Sequence, residues 1–312
     1  MRYRPDMSRA LPHCSFLILT YNQERFVTAA LEAALAQTGP PIEILISDDA
    51  SSDRTFDIAQ GLVKHYTGPH TITLNCNAQN IGLVAHINQC IDKAQGEVLI
   101  PAYGDDISRP DRALKIAQAF ADHDPTLVHS QALPIDGAGE PCSTDYTKAT
   151  FFHTTDRLAA AKSLSLYLGA SGGWSRRLFE VFGPIKHPKA YDDLVLGFRA
   201  ALLGGIHLID EVLLSYREGV GISFAHRDAV TRSEFRRKRQ ALLNHQLANM
   251  SDRLEDAKIF GLKEGDEVFD ALCAATTKLH QRMKYYDESL LNAFVQTPRA
   301  TASEVLRNWK KR

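Results

Sequence analysis

IEILISDDASSDRTFDIAQGLVKHY, Ile42–Tyr66, is the stretch on which the reading of this chain turns. Ile42–Ser47 is a short apolar run that reads as a strand. Asp48-Asp49 ends it with two adjacent carboxylates. Ser51 or Ser52 then stands where a helix cap belongs, and Asp53–Tyr66 reads as the helix that follows. The unit is strand, acidic tip, helix.

The same unit recurs on both sides. Cys14–Thr20 (CSFLILT) is an apolar run bounded by Pro12 and by Tyr21-Asn22, followed by a helix over Glu24–Ala36 that Gly39-Pro40-Pro41 stops. Downstream come a strand at Thr71–Asn75, a helix at Leu83–Ala94 entered from Asn80-Ile81-Gly82, and a strand at Glu97–Ala102. A helix at Pro110–Asp122, with proline suited to its first turn, and a strand at Thr126–Ser130 complete the series. Strand and helix alternating with short connections predict an α/β fold, a mainly parallel sheet flanked by helices. Ligands of such sheets sit at the carboxyl ends of the strands. The loops to read are therefore Tyr21-Asn22, Asp48-Asp49 and Tyr103–Ser108.

The second half is less regular. Leu133–Thr155 reads as a long loop of the kind often used as a lid. Helices are expected at Asp156–Leu168, Arg176–Phe182 and Tyr191–Leu203, and two short strands at Ile206–Ile209 and Val212–Tyr216. From about Val230 the composition turns polar and basic. Glu267–Phe294 carries Val268, Leu272, Leu279, Met283, Tyr286 and Leu290 at near-helical spacing. The expected organisation is a domain over 1–229, with a donor half at about 13–130 and an acceptor half at about 131–229, and a helical appendage over 230–312.

Bulk properties narrow the class. The 312 residues carry a formal net charge of -1, so no global field points to nucleic acid. Five scattered cysteines, with no CxxC pair, form neither a zinc pattern nor a disulfide framework and suit a reducing compartment. The first residues contain no signal-type apolar run, and no window approaches the length of a spanning helix. A cytoplasmic protein is expected, with peripheral membrane contact left open.

Chemistry concentrates at the strand tips. Asp105 and Asp106 repel each other unless a cation lies between them, and hard carboxylate oxygens suit Mg²⁺ or Mn²⁺. A solvated turn before the helix is the plainer alternative. One carboxylate of Asp48-Asp49 could accept hydrogen bonds from a nucleobase or ribose, while the neighbouring serines cap a helix. Thr20-Tyr21-Asn22 offers a flat ring for stacking and an amide, or is simply a turn. Asp192-Asp193 complements the positive end of its own helix. Gly169–Trp174 offers small residues and a stacking face as an acceptor floor, or a tight turn over a core tryptophan. Arg176 and Arg177 are phosphate ligands or solvated arginines. Arg232, Arg236, Arg237, Lys238 and Arg239, with Arg307, Lys310, Lys311 and Arg312, are a lipid-facing set or a solvated helix face.

Taken in order, these motifs resemble the family 2 glycosyltransferases, which have the GT-A fold. The resemblance covers Ser15–Asp122 closely and continues more loosely through Tyr191–Arg217. It implies a metal-dependent, inverting transfer of sugar from a nucleotide-sugar donor to a carbohydrate or lipid-linked acceptor hydroxyl, with surface polysaccharide or glycolipid assembly as the setting. Thr20, Tyr21, Asn22, Asp48, Asp49, Asn80, Gly82 and Asp105 then match donor-binding positions. Asp105 and Asp106 match the motif that holds metal and diphosphate. Asp193 matches the catalytic base, with Asp192 its close competitor. The place of a further aspartate is Tyr103 or Gly104 here, so Asp106 is expected to carry more of the metal than Asp105. A histidine common after Tyr-Arg is missing, and His226 is a distant substitute. A homo-oligomer through the C-terminal helices is a further expectation. A nucleotidyltransferase, which would want a basic glycine-rich loop after the first strand, and a non-catalytic sugar-nucleotide binding module are the rival readings.

Overall fold

The computed structural model describes residues 10–142, 156–220, 231–287 and 290–309. His226, most of the expected 133–155 loop and Lys310–Arg312 lie outside the described residues. The first half follows the expected alternation: β1 (Cys14–Thr20), α1 (Val27–Leu35), β2 (Glu43–Asp48), α2 (Thr55–Lys64), β3 (Thr71–Cys76), α3 (Leu83–Lys93), β4 (Val98–Tyr103), β5 (Ile107–Ser108) and α4 (Arg112–His123). Then come β6 (Leu127–Ile135), α5 (Arg157–Lys162), a 3₁₀ turn at Gly169–Ser171, β7 (Gly173–Ser175), α6 (Arg177–Phe182), α7 (Asp192–Leu203) and β8 (Ile206–Arg217). Four helices close the described chain: α8 (Arg232–Ile259), α9 (Glu267–Asp287), α10 (Leu290–Gln296) and α11 (Pro298–Trp309).

The eight strands form one mixed sheet in the order β3-β2-β1-β4-β7-β6-β8-β5. β3, β2, β1 and β4 run parallel, and the strand order reverses between β2 and β4 across β1. That reversal is where an open α/β sheet leaves a crevice for a ligand. Register decides what lines it: Thr20 lies opposite Asp48, and Leu19 opposite Tyr103. Three of the loops singled out in the sequence therefore meet at one edge.

β4 and β5 are joined only by Gly104-Asp105-Asp106, yet they stand fourth and eighth in the sheet. Four steps across a flat sheet would span about 19 Å. Tyr103 to Ile107 can reach at most about 14 Å. The sheet therefore has to curl, and the acidic pair lies on the tether that closes the curl.

β1 is buried on both faces. Phe16 and Ile18 join a core with Ile44, Ile46 and α1, while Leu17 and Leu19 join one with α3, Trp174 and α7. The second core continues without a break into Leu243, Met250, Leu272 and Leu279 of α8 and α9. The stripe expected on Glu267–Phe294 is thus used for packing within the chain, with Leu272, Leu279, Met283 and Tyr286 buried.

Three expectations need correction. The two short strands after α7 are one twelve-residue strand, because Asp210 and Glu211 bulge out between Ile209 and Val212 without ending the ladder. β6 runs on to Ile135, taking residues read as loop, because it has β8 as a partner along its length. The helix expected over Asp156–Leu168 stops at Lys162.

Candidate active site

Asp48 ends β2 with its side chain fully buried. Oδ2 accepts from Thr20 Oγ1 (2.8 Å) and Ser51 Oγ (2.6 Å), and Oδ1 from the Ser51 amide (2.7 Å). In this conformation Asp48 fixes Thr20 and the Ser51 turn; direct contact with a base requires that turn to move aside. Asp49 holds the neighbouring loop, accepting from Asn77 Nδ2 (2.8 Å) and from the amides of Ile81 and Gly82 (3.0 Å each). Gly82 takes φ 81°, a left-handed value that glycine adopts at no steric cost. Asn22 is tied to the same corner through Ser52 N (2.8 Å), leaving the Tyr21 ring 48% exposed at the rim, with Asn80 exposed nearby in sequence to Gly82.

Asp105 and Asp106 are both buried. Burial raises the pKa of Asp105. Burial, and then the charge of Asp105, push Asp106 well above the usual carboxylate range. Arg217, at the end of β8, ties the pair down: its amide donates to Asp106 Oδ1 (2.9 Å) and its Nε to the Asp105 carbonyl (3.0 Å). Gly104 is packed so closely that an added Cβ would sit 2.5 Å from Gln23 Oε1 and 2.9 Å from Thr20 Cγ2. A further carboxylate at Gly104 would have to push Gln23 and Thr20 aside.

Two adjacent carboxylates whose charged forms burial disfavours are a fitting seat for a divalent cation, which would relieve that penalty. No group of three or more His, Cys, Asp or Glu side chains is arranged to cage an ion among the described residues. Such a seat suits Mg²⁺ or Mn²⁺ that completes its shell with phosphate oxygens and water.

The second acidic pair opens α7. Asp192 is buried and accepts from the Tyr103 hydroxyl (3.3 Å), while Asp193 is half-buried. Burial raises Asp192 to about 6. Burial, and then the charge on Asp192, raise Asp193 to about 8. The two pairs share one neighbourhood. The Tyr103 hydroxyl, pushed well up by burial, feels Asp192, Asp193 and Asp106. Tyr216, raised chiefly by burial, feels Asp106, Asp105 and Asp193.

Other sequence candidates have internal duties. Trp174 is fully buried and donates to the Tyr167 hydroxyl (2.9 Å), so it cannot stack on a sugar. Arg176 caps the end of α3 and the turn after it through the carbonyls of Ile91, Ala94 and Gly96, so it is no phosphate ligand. Arg236 lies over the Tyr285 and Tyr286 rings, and Arg239 pairs with buried Glu304. These two therefore fasten the appendage and do not face lipid.

Sequence reasoning placed Tyr216-Arg217 within the family resemblance but gave the pair no task at the site, and it passed over Arg253 altogether. The first two had a signal, a polar pair ending an apolar strand. Arg253 had none. It lies within α8, is fully buried, and donates to the carbonyls of Leu194 (3.0 and 2.8 Å), Ala161 (3.2 Å) and Ser163 (2.8 Å). Burial lowers its pKa to about 10. It holds the first turn of α7, where Asp193 sits.

A mixed, curled α/β sheet with two acidic pairs at one mouth is the architecture of a GT-A protein, and comparison with known proteins agrees. The model of the family described as glycosyl transferase family 2 matches residues 15–183. The chain belongs to that family. Among curated relatives, the uncharacterized glycosyltransferase alr2836 of Nostoc sp. is 28% identical over 65% of this chain and 64% of its own length. The succinoglycan biosynthesis protein ExoO of Rhizobium meliloti is 31% identical over 36% of this chain and 31% of its own. EpsE of Bacillus subtilis is 36% identical over 33% of this chain; the match spans only 37% of EpsE. Two solved structures share the fold. S. aureus TarS in complex with UDP-GlcNAc has a TM-score of 0.56 at 18% identity, covering 93% of this chain and 89% of that one. The mannosyltransferase PcManGT of Pyrobaculum calidifontis, in complex with GDP-Man and Mn²⁺, has a TM-score of 0.56 at 15% identity, covering 100% and 92%.

Proposed function

We propose that this chain is a glycosyltransferase that moves a sugar from a nucleotide-sugar donor to an acceptor hydroxyl, with inversion, in the assembly of a surface polysaccharide or glycolipid. The observation that carries the reading is the convergence of Asp105-Asp106 and Asp192-Asp193 on Tyr103 and Tyr216. The sugar nucleotides and Mn²⁺ in the structural relatives, and the polysaccharide role in the name of ExoO, support it.

Tyr21 stacks on the base, and Thr20, Asn22, Asp48, Asp49, Asn80 and Gly82 shape the nucleotide side of the mouth. Asp106, with Asp105, would hold a divalent cation, Mn²⁺ or Mg²⁺, which when bound neutralises charge on the departing diphosphate. Asp193 takes the proton from the acceptor oxygen. A base with a pKa near the working pH suits that task, and burial beside Asp192 places Asp193 there. Asp192, held by Tyr103, keeps the pair oriented. We divide the chain into a transferase body at 1–229 and a helical extension at 230–312, and place it in the cytoplasm. No helix among the described residues is long and apolar enough to cross a membrane. Peripheral contact with anionic lipid fits α10 and α11, where Leu291, Val295 and Leu306 are 75%, 76% and 59% exposed beside Arg299 and Arg307. Flotation with phosphatidylglycerol vesicles tests this contact; a Leu291→Asp/Val295→Asp chain that still floats would refute it.

A thermal-shift screen of nucleotide sugars with and without Mn²⁺ tests the donor side. One donor should stabilise the wild type only with metal, and Asp106→Asn should lose that response. Asp193→Asn should keep it while losing transfer, which a non-catalytic binding module would not show. Stabilisation by a nucleoside triphosphate alone would favour a nucleotidyltransferase.

A further inference from the structure

Away from the acidic mouth, a cavity of about 510 Å³ opens between α8, α9 and the segment before α7; its lining includes His187, Lys189, Ser251, Lys258, Thr276 and His280. A second, of about 320 Å³, shares Lys189 and Asn244 with it and extends to Arg237 and His245. Together they make a trough along one side of α8. That helix presents Asn244, Leu247, Ser251, Leu254 and Lys258, residues three or four apart and so on one face. Its other face holds α7 through Arg253 and through the buried pair of Asp256 with Arg199 (2.8 Å).

The charge of the trough is one-sided. Lys189, Lys258 and Arg237 are exposed cations, and the lining contains a single carboxylate, Glu255, which is paired with Lys186. Cations gathered on a concave surface focus their field on an anion entering it. The trough also begins beside the acceptor side of the active site. Lys189 is four residues before Asp193, within about 14 Å along the chain. Between them the Tyr191 ring stacks on His245 (centroids 4.8 Å apart), a flat wall leading from one to the other. A neutral sugar chain has no use for three cations that lack a carboxylate partner in the lining, whereas phosphate or carboxylate groups spaced along a glycan do.

We propose that this trough binds the anionic part of the acceptor, a saccharide chain bearing phosphate or carboxylate groups, while a hydroxyl of that chain reaches Asp193. The assignment of the acceptor rests on the transferase reading above; the anion site itself does not.

The test is fluorescence anisotropy with three end-labelled probes of equal length: an oligogalacturonate for carboxylate, an oligo(glycerol phosphate) for phosphate, and a neutral dextran oligomer. At least one anionic probe should bind ten times or more tightly than dextran, and the tighter of the two names the group. Added UDP or GDP should leave that binding unchanged. Lys189→Glu/Lys258→Glu should weaken it at least tenfold, and Ser251→Tyr, which fills the trough without changing charge, should weaken it too. Equal binding of all three probes, displacement by nucleotide, or wild-type affinity in both variants would overturn the proposal. Thermal shift with nucleotide sugars on the same samples reports the donor site separately. Anion binding without any donor response would sink the transferase reading and leave the trough; a donor response without anion preference would do the reverse.

Discussion

Asp193→Asn should make the protein inactive and, above neutral pH, more stable. In the folded chain burial and the charge of Asp192 hold Asp193 at about 8, against 3.8 for an ordinary aspartate. Between those values the folded state keeps a proton that the unfolded chain has released. The unfolded state thus binds fewer protons, and stability falls as pH rises, by about 1.4 kcal/mol per unit. From about pH 5.5 to about pH 8 the loss is on the order of 3 kcal/mol. Asparagine does not titrate and escapes it. Urea unfolding of both proteins at several pH values across this range measures the gap, and a transfer assay on the same samples should show a loss of roughly 10²–10⁴-fold. The gap should widen in favour of the asparagine variant as pH rises. A constant gap, or a variant less stable at the alkaline end, would refute the argument that the base is held at a cost to the fold.

Wild-type kcat/KM should rise with pH through about 8 and then level off, because only ionised Asp193 accepts the proton; a flat profile would point to another base. Arg253→Met should lower stability by roughly 3 kcal/mol, since it removes the donor to the carbonyls of Ala161 and Ser163 and the second donor to Leu194 at the start of α7. It should also move the activity limb to higher pH, because the Arg253 charge lowers Asp193. Ala50→Gly should raise stability by roughly 0.5–1 kcal/mol, because Ala50 sits at φ 60° just after Asp48-Asp49, where a side chain is strained; a lower melting temperature would show that its methyl group packs. Gly104→Ala should lower stability by roughly 1–3 kcal/mol and weaken nucleotide binding, as the new methyl displaces Gln23 and Thr20.

What the sequence made legible follows from range. β1 to α4 are local units whose apolar runs and breakers are written side by side, although Ser51, read as a helix cap, donates to Asp48 instead; their parallel register then gathers Thr20, Asp48 and Tyr103 at one edge. The second half is built from distant pairings. β7 is three residues wedged between β4 and β6, and β5 finds its partner in β8 across more than a hundred residues. No local pattern encodes such contacts. For the same reason Trp174 looked available when it is fully enclosed, and Arg253, sixty residues beyond Asp193, gave no hint that it supports it. The carboxylates were easier, since side-by-side acids at a strand tip are conspicuous wherever the chain later puts them.

The tether Gly104–Asp106 fixes more than a cation seat. It works as a drawstring on the curled sheet, and its length sets how wide the opening stands. One inserted residue there would add up to about 3.5 Å of slack, enough to part Asp106 from the partners it meets on β8. Nearer the start of β8, by contrast, Asp210 and Glu211 already stand outside the ladder as surplus length. Insertions and deletions over evolution should therefore collect at that bulge and spare the three-residue cord.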